Sequence, residues 1–210
     1  MSVVFPQAEN RILLRNVSWS TFESLAAENE SGGTRFTYDR GDLEIVSPST
    51  DHERIKTLLG RMIETVTLEL DIAIMSAGST TMKYELKQRG LEPDECYYVA
   101  NESRMRGRDE YDPAVDPPPD LVIEVDISRS SIDKLPIYAD FGVPEVWMYE
   151  GGAIRVYHLQ SDGSYLQQPG SCSFPWLPMA DVRRFLDQRN ATDETTLMRS
   201  FRDWVRNLKR

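Results

Sequence analysis

Asp120, Glu124 and Asp126 share one parity in the run Asp120-Leu-Val-Ile-Glu-Val-Asp126, whose remaining members are all apolar. Side chains alternate between the two faces of an extended strand. The three carboxylates therefore project to one side while Leu121, Ile123 and Val125 project to the other. Carboxylates are seldom buried unless they are paired or bind a metal, and two of them two residues apart on a rigid strand form a clamp for a cation. The plainer reading is a strand whose acidic face is wet. A further acid, Asp94, follows Pro93 in Glu92-Pro-Asp-Glu-Cys-Tyr-Tyr-Val-Ala100. Proline has no N–H to give to a central ladder, so it marks the start of a strand there. Asp94 and Glu124, joined by Asp126 and a main-chain carbonyl, supply the hard oxygen ligands that Mg2+ or Mn2+ requires. Such an ion makes a bound water a nucleophile near neutral pH.

Two sets of cations accompany these acids. Pro136 belongs in the first turn of a short helix ending at Phe141-Gly142, which makes Asp133 its cap and puts Lys134 just inside it. A cation there opposes the helix dipole and needs solvent or a nearby anion, for which the strand carboxylates are candidates. Asn101 to Pro119 reads as a loop of unusual length carrying Arg104, Arg106 and Arg108. A basic loop between acidic strand positions invites a polyanion, and the alternative is a solvated surface loop.

The elements that must position these residues follow from periodicity. Residues 1–17 read as a leader. Ser18 to Asn29 reads as a helix, and Phe36 to Tyr38 with Leu43 to Val46 as a hairpin about Asp39-Arg-Gly-Asp42. Thr50-x-x-Glu53 has the form of a capping box, and Ile55, Leu58, Leu59, Met62, Ile63, Val66 and Leu70 then recur at helical spacing. Capping accounts for Glu53. Ile72 to Met75, Val143 to Tyr149, Ile154 to His158 and Tyr165 to Gln168 read as strands, the last three joined by glycine turns. Met179 to Arg189 and Thr195 to Lys209 read as helices. One domain is expected over residues 18–190, with a C-terminal helix in 191–210 packed on it.

Composition narrows the classes. A 40% hydrophobic and 28% charged chain of 210 residues can bury a core without staples, and no apolar run approaches a membrane span. Met1 to Arg15 lacks a basic segment followed by an apolar core, so the cytoplasm is the expected location. A zinc site could draw only on Cys96, Cys172, His52 and His158, and no pair has ligand spacing. There is no Gly-x-Ser-x-Gly elbow and no phosphate-binding glycine loop. The net charge of −10 argues against holding nucleic acid by charge alone, although Val182 to Arg210 carries eight basic residues against four acidic ones.

Pro93-Asp94, followed thirty residues later by Glu124 in an apolar strand, resembles the signature of the PD-(D/E)XK nuclease superfamily. The order Leu43-Glu-Ile-Val-Ser-Pro-Ser49, His52-Glu53, Glu92-Pro-Asp94, Pro119-Asp-Leu-Val-Ile-Glu124 and Tyr138-Ala-Asp-Phe-Gly-Val-Pro-Glu-Val-Trp147 is similar to that of the Uma-type restriction-endonuclease family. The resemblance spans about Ser18 to Gln168. It implies an α/β (α+β) fold, a restriction-endonuclease-like mixed sheet flanked by helices with an N-terminal hairpin and C-terminal helices. It implies hydrolysis of phosphodiester bonds in DNA with Asp94, Glu124 and Asp126 on the metal. The position two after Glu124, where the superfamily carries lysine, is Asp126. The resemblance then draws the lysine from the following helix, as Lys134, and aligns Glu53 with an acid of the first helix. The loop arginines would contact nucleic acid, and a homodimer is left open. Set against this endonuclease reading are a nuclease-fold module that binds or regulates without cutting, and a carboxylate glycosidase, for which no sugar-stacking aromatic cleft is evident.

Overall fold

The computed structural model of the chain describes residues 9–29, 33–108 and 110–208, and its strands form two sheets. The first sheet is antiparallel throughout, in the order β1 (Asn10–Leu14), β3 (Asp42–Ser47), β2 (Arg35–Asp39), β6 (Arg89–Leu91), β5 (Met82–Tyr84). The second runs β11 (Tyr165–Gln168), β10 (Ala153–Leu159), β9 (Glu145–Glu150), β8 (Leu121–Asp126), β7 (Glu95–Tyr98), β4 (Met75–Ser76). Within it only β8 and β9 are parallel, and a parallel pair needs a crossover, here α4 (Leu135–Phe141). After an earlier visit to the second sheet at β4, the chain leaves the first sheet for good at β6 and continues into β7, turning at Glu92-Pro93-Asp94. That corner fixes Asp94.

β8 is buried along its whole length. Leu121, Ile123 and Val125 pack against α2 (Thr50–Glu69), α5 (Met179–Asp187) and α6 (Glu194–Arg206), with Leu58, Met62, Phe185 and Phe201 in the same cluster. Each such side chain stabilises the fold by about 1.5–3 kcal/mol relative to exposure. Val122, on the carboxylate face, packs with Ile137, Tyr138 and Phe141 of α4. The wet-face reading of this strand is therefore corrected: helices cover both sides, and its acids are enclosed. On the first sheet α1 (Trp19–Glu28) inserts Phe22 against β6, where a Cβ on Gly90 would come within 2.7 Å of the ring.

The expected hairpin is β2–β3, turning on Arg40 (φ 49°) and Gly41 (φ 99°), the two positive angles that a type I′ turn requires. The strand expected over Ile72 to Met75 is confined to β4, Met75–Ser76, and four further local expectations shift. Part of the expected leader, Asn10–Leu14, is a strand paired with β3, while residues 1–8 lie outside the described residues. The cap of α2 is Ser49, not Thr50, with Ser49 Oγ accepting from the His52 N–H at 3.2 Å. Lys134 is itself the N-cap residue of α4, and Asp133 Oδ1 accepts from the Leu135 N–H. The long loop is interrupted by α3 (Glu102–Met105). α6 packs on α2 through Leu197, Phe201 and Val205; Lys209 and Arg210 lie outside the described residues. Among the described residues no helix is long and apolar enough to cross a membrane.

Candidate active site

β7 and β8 pair with Glu95 opposite Ile123, and extending that antiparallel register by one residue sets Asp94 beside Glu124. Two carboxylates are thus juxtaposed across neighbouring strands, with Asp94 2% and Glu124 0% exposed. Like charges so placed repel, and burial makes the charged form costlier still. Burial above all, opposed by the Lys134 charge but reinforced by Asp94 and Asp126, pushes the Glu124 carboxyl up to about 7. Lys134, delivered by the start of α4, donates to Glu124 Oε2 at 2.6 Å and stands 3.9 Å from Asp126 Oδ1. Burial alone would lower its pKa, but the charges of Glu124, Asp126 and Asp94 prevail and raise it. The Tyr138 hydroxyl, one turn further along α4, donates to Glu124 Oε1. Glu124, Lys134 and Asp126 thus stand together, and Glu124 sits next to Asp94.

Asp94 is held by a residue not singled out in the sequence. His52 Nε2 lies 2.9 Å from Asp94 Oδ1, while Val125 N–H donates to Asp94 Oδ2 at 2.8 Å. The other ring nitrogen, Nδ1, lies 2.5 Å from Glu9 Oε1. Burial would lower the His52 pKa, but its two carboxylate partners outweigh that and raise it to about 9, so both ring nitrogens donate at neutral pH. Glu9 is likewise opposed by burial, yet His52, Ser128 and Arg11 bring it down to about 2. Arg11 of β1 closes the network. It reaches Glu9 Oε2 at 2.7 Å, Asp126 Oδ1 at 2.9 Å, Glu44 Oε2 at 2.9 Å and Ser128 Oγ at 2.9 Å. Glu44, fully buried in β3, also accepts from Ser130 Oγ and Ser131 N–H. Its position inside an apolar hairpin strand is the same signal that marks Glu124. Arg11 gives no comparable signal, because its side chain acquires meaning only through the β1–β3 pairing.

The other sequence candidates lie elsewhere. Glu53 turns outward, its carboxylate 3.1 Å from Lys56 and 4.0 Å from Arg35. Asp120 braces the backbone, accepting from Val99 N–H, Asn101 N–H and Asn101 Nδ2 at 2.7–2.9 Å. Arg106 forks onto Glu102 and Arg108 lies 3.4 Å from Asp116, while Arg104 is exposed. A cleft of about 300 Å³, lined by Asp126, Ser131, Lys134, Met148 and Glu150 among others, reaches the edge of the acidic centre at Asp126 and Lys134. A larger cavity of about 520 Å³, bordered by Met75, Thr81, Tyr98, Arg108 and Tyr111, contains none of the centre's carboxylates. Size alone would select the cavity that lies away from the acidic centre. Elsewhere, Glu145 of β9, His158 of β10 and Cys172 beyond β11 bring three ligand atoms within 4.8 Å of one another, close enough to share a divalent ion.

The sequence model of the Uma2 family, described as "Putative restriction endonuclease", matches residues 19–181. A crystal structure described as "a putative nuclease belonging to DUF820", from Anabaena variabilis ATCC 29413, is similar with a TM-score of 0.54 at 18% identity, covering 81% of this chain and 99% of that one. At that identity the likeness is one of fold. No curated protein matches the chain.

Proposed function

From the premise that the chain belongs to the Uma2 family, with the PD-(D/E)XK-like restriction-endonuclease fold, we propose that it is a metal-dependent endonuclease hydrolysing phosphodiester bonds in DNA. The observation that carries this reading is the enclosed Asp94–Glu124 pair with Lys134 bonded to Glu124. The donor set fits Mg2+ or Mn2+, since it consists of hard carboxylate oxygens held in place by β8 and by the corner before β7. Asp94 and Glu124 would hold the ion, with Asp126 beside them. When bound, the ion supplies charge neutralisation at a phosphoryl oxygen and a more acidic water.

The chain's own residues divide the remaining work. Lys134 stays protonated through the neutral range and brings a fixed positive charge to the developing negative charge of the transition state. Tyr138 orients Glu124, and His52 with Val125 N–H orients Asp94. Arg11 ties Asp126 to Glu44 and Glu9, so the N-terminal strand belongs to the support of the site. Glu53 acts on the centre only through Arg35, which lies 3.9 Å from Asp94. Arg104, Arg106 and Arg108 are assigned to the phosphate backbone of the bound DNA.

A second reading, a nuclease fold that binds or regulates without cutting, is favoured by a specific observation. The four side-chain oxygens of Asp94 and Glu124 are already engaged by His52, Val125 N–H, Lys134 and Tyr138. Plasmid nicking in Mg2+ and in Mn2+ separates the two. The endonuclease reading requires metal-dependent nicking that disappears in Asp94→Asn and Glu124→Gln. DNA retention without nicking, equal in parent and variants, would establish the silent module instead.

A further inference from the structure

Glu145 is fully buried, yet among the described residues no lysine or arginine lies within 4.0 Å of it, and the nearest basic side chain is that of His158. Each acid of the Asp94–Glu124 centre has a lysine, arginine or charged histidine against it. Glu145 has instead Trp147 Nε1 at 2.6 Å, Ser173 N–H at 2.8 Å and the Cys172 thiol at 3.0 Å, all neutral donors. An enclosed carboxylate without a permanent counter-charge is costly. A second irregularity faces it. His158 Nε2 is buried, points to within 4.0 Å of Glu145 Oε1, and has no hydrogen-bond partner.

Both irregularities have one remedy. We propose that Glu145, His158 and Cys172 form a binding site for a zinc-class transition-metal ion, separate from the Asp94–Glu124 centre. Bonds of about 2.0–2.3 Å at tetrahedral angles put ligand atoms about 3.3–3.7 Å apart. The sulfur lies 3.0 Å from one Glu145 oxygen and His158 Nε2 lies 4.0 Å from the other, and one oxygen, the nitrogen and the sulfur all lie within 4.8 Å of one another, which brackets that spacing. The ligands stand on fixed supports. Glu145 and His158 are directly opposed on β9 and β10, and Cys172 is held by a turn in which Phe174 is fully buried and its N–H donates to Ser171 Oγ at 2.9 Å. A thiolate and an imidazole select zinc, cobalt or copper over Mg2+. Cys172, on the solvent side, leaves a fourth position for water. Binding expels the Cys172 thiol proton to solvent and leaves its sulfur on the metal.

This centre lies on the other face of the sheet from Glu124. Val146 and Met148 sit opposite Val122 and Glu124 in the parallel register, so Glu145 and Trp147 project the opposite way, toward the core that contains α5 and α6. The ion would join the turn after β11 to the sheet and is not a participant in phosphodiester chemistry, so the inference does not depend on the endonuclease reading.

Titration of the EDTA-treated full chain with Co2+ tests it. The expected result is a thiolate-to-cobalt charge-transfer band with intense visible bands of four-coordinate cobalt, abolished by one equivalent of Zn2+. Cys172→Ser, at an exposed position where folding is not at stake, should remove the charge-transfer band, and His158→Ala should weaken cobalt binding. Asp94→Asn should leave the bands intact. Absence of the charge-transfer band in the parent, or its survival in Cys172→Ser, overturns the proposal. Survival of the parent bands unchanged in His158→Ala overturns the ligand set.

Discussion

Lys134 Nζ lies 2.6 Å from Glu124 Oε2 inside the protein, although eight residues separate Lys134 from the strand position at which a lysine is expected. The turn after β8 and the start of α4 return the cation to the strand it would otherwise have come from. Its N-cap position accounts for the tolerance of a dipole-opposing charge, since three carboxylates outweigh the helix terminus. Lys134→Met keeps the apolar stem and removes the charge. Nicking at saturating Mg2+ is expected to fall by about a hundredfold or more, the scale of losing a preorganised charge stabiliser. Stability should fall far less at pH 6 than at pH 8, because Glu124, with its carboxyl near 7, takes up a proton when its partner is gone. Parent-like nicking by the variant would remove Lys134 from the chemistry.

The same raised carboxyl makes metal affinity pH-dependent. A divalent ion needs Glu124 ionised, so the apparent affinity for Mn2+ should rise by up to about tenfold per unit as pH increases toward 7 and flatten above it. Calorimetry at pH 6, 7 and 8, in buffers of different ionisation enthalpy, reads both the affinity and the released proton. In Glu124→Gln the pH dependence should vanish together with most of the affinity. A flat profile in the parent would mean that Glu124 is not a ligand.

Strand parity, the proline before Asp94 and the dipole-opposed position of Lys134 make three members of the centre legible in the sequence. What stays hidden there is long-range. Arg11 and Glu9 join the centre only because β1 pairs with β3, a contact that their own short segment does not announce. His52 is obscured by a single residue of helix phase. With the cap at Ser49 instead of Thr50, the carboxylate that reads as a capping partner faces solvent and the imidazole before it faces Asp94, since one residue turns a helix by about 100°. The enclosure of β8 escapes the pattern because periodicity records alternation along a strand but not that α4 covers the acidic face.

Loop arginines should contribute less to DNA binding than their number suggests. Arg106 and Arg108 already face Glu102 and Asp116, which leaves Arg104 as the exposed cation of the three without such a partner among the described residues. Replacing all three by alanine is expected to weaken binding and to lower the slope of log K against log salt by about 1, the share of one phosphate contact. A drop near 3 would show that both ion pairs open on DNA. An unchanged slope would return the loop to a solvated surface.

His52 should impose a pH dependence on stability. Its pKa is raised from the ordinary 6.5 to about 9 in the folded chain. A raised histidine stabilises fully below its unfolded pKa, and that contribution is lost as pH rises through the folded value. The window is therefore about pH 6.5 to 9, and the loss across it is about 3 kcal/mol, counted once although Glu9 and Asp94 share the interaction. Urea unfolding at several pH values should show this decline in the parent, and His52→Gln should begin less stable and lose the slope. Glu53→Gln, whose side chain is 44% exposed beside Lys56, should match the parent at pH 7 to within about 0.5 kcal/mol. If His52→Gln declines as steeply as the parent over this window, the imidazole is not the charged link between Glu9 and Asp94, and the support assigned to Asp94 is wrong.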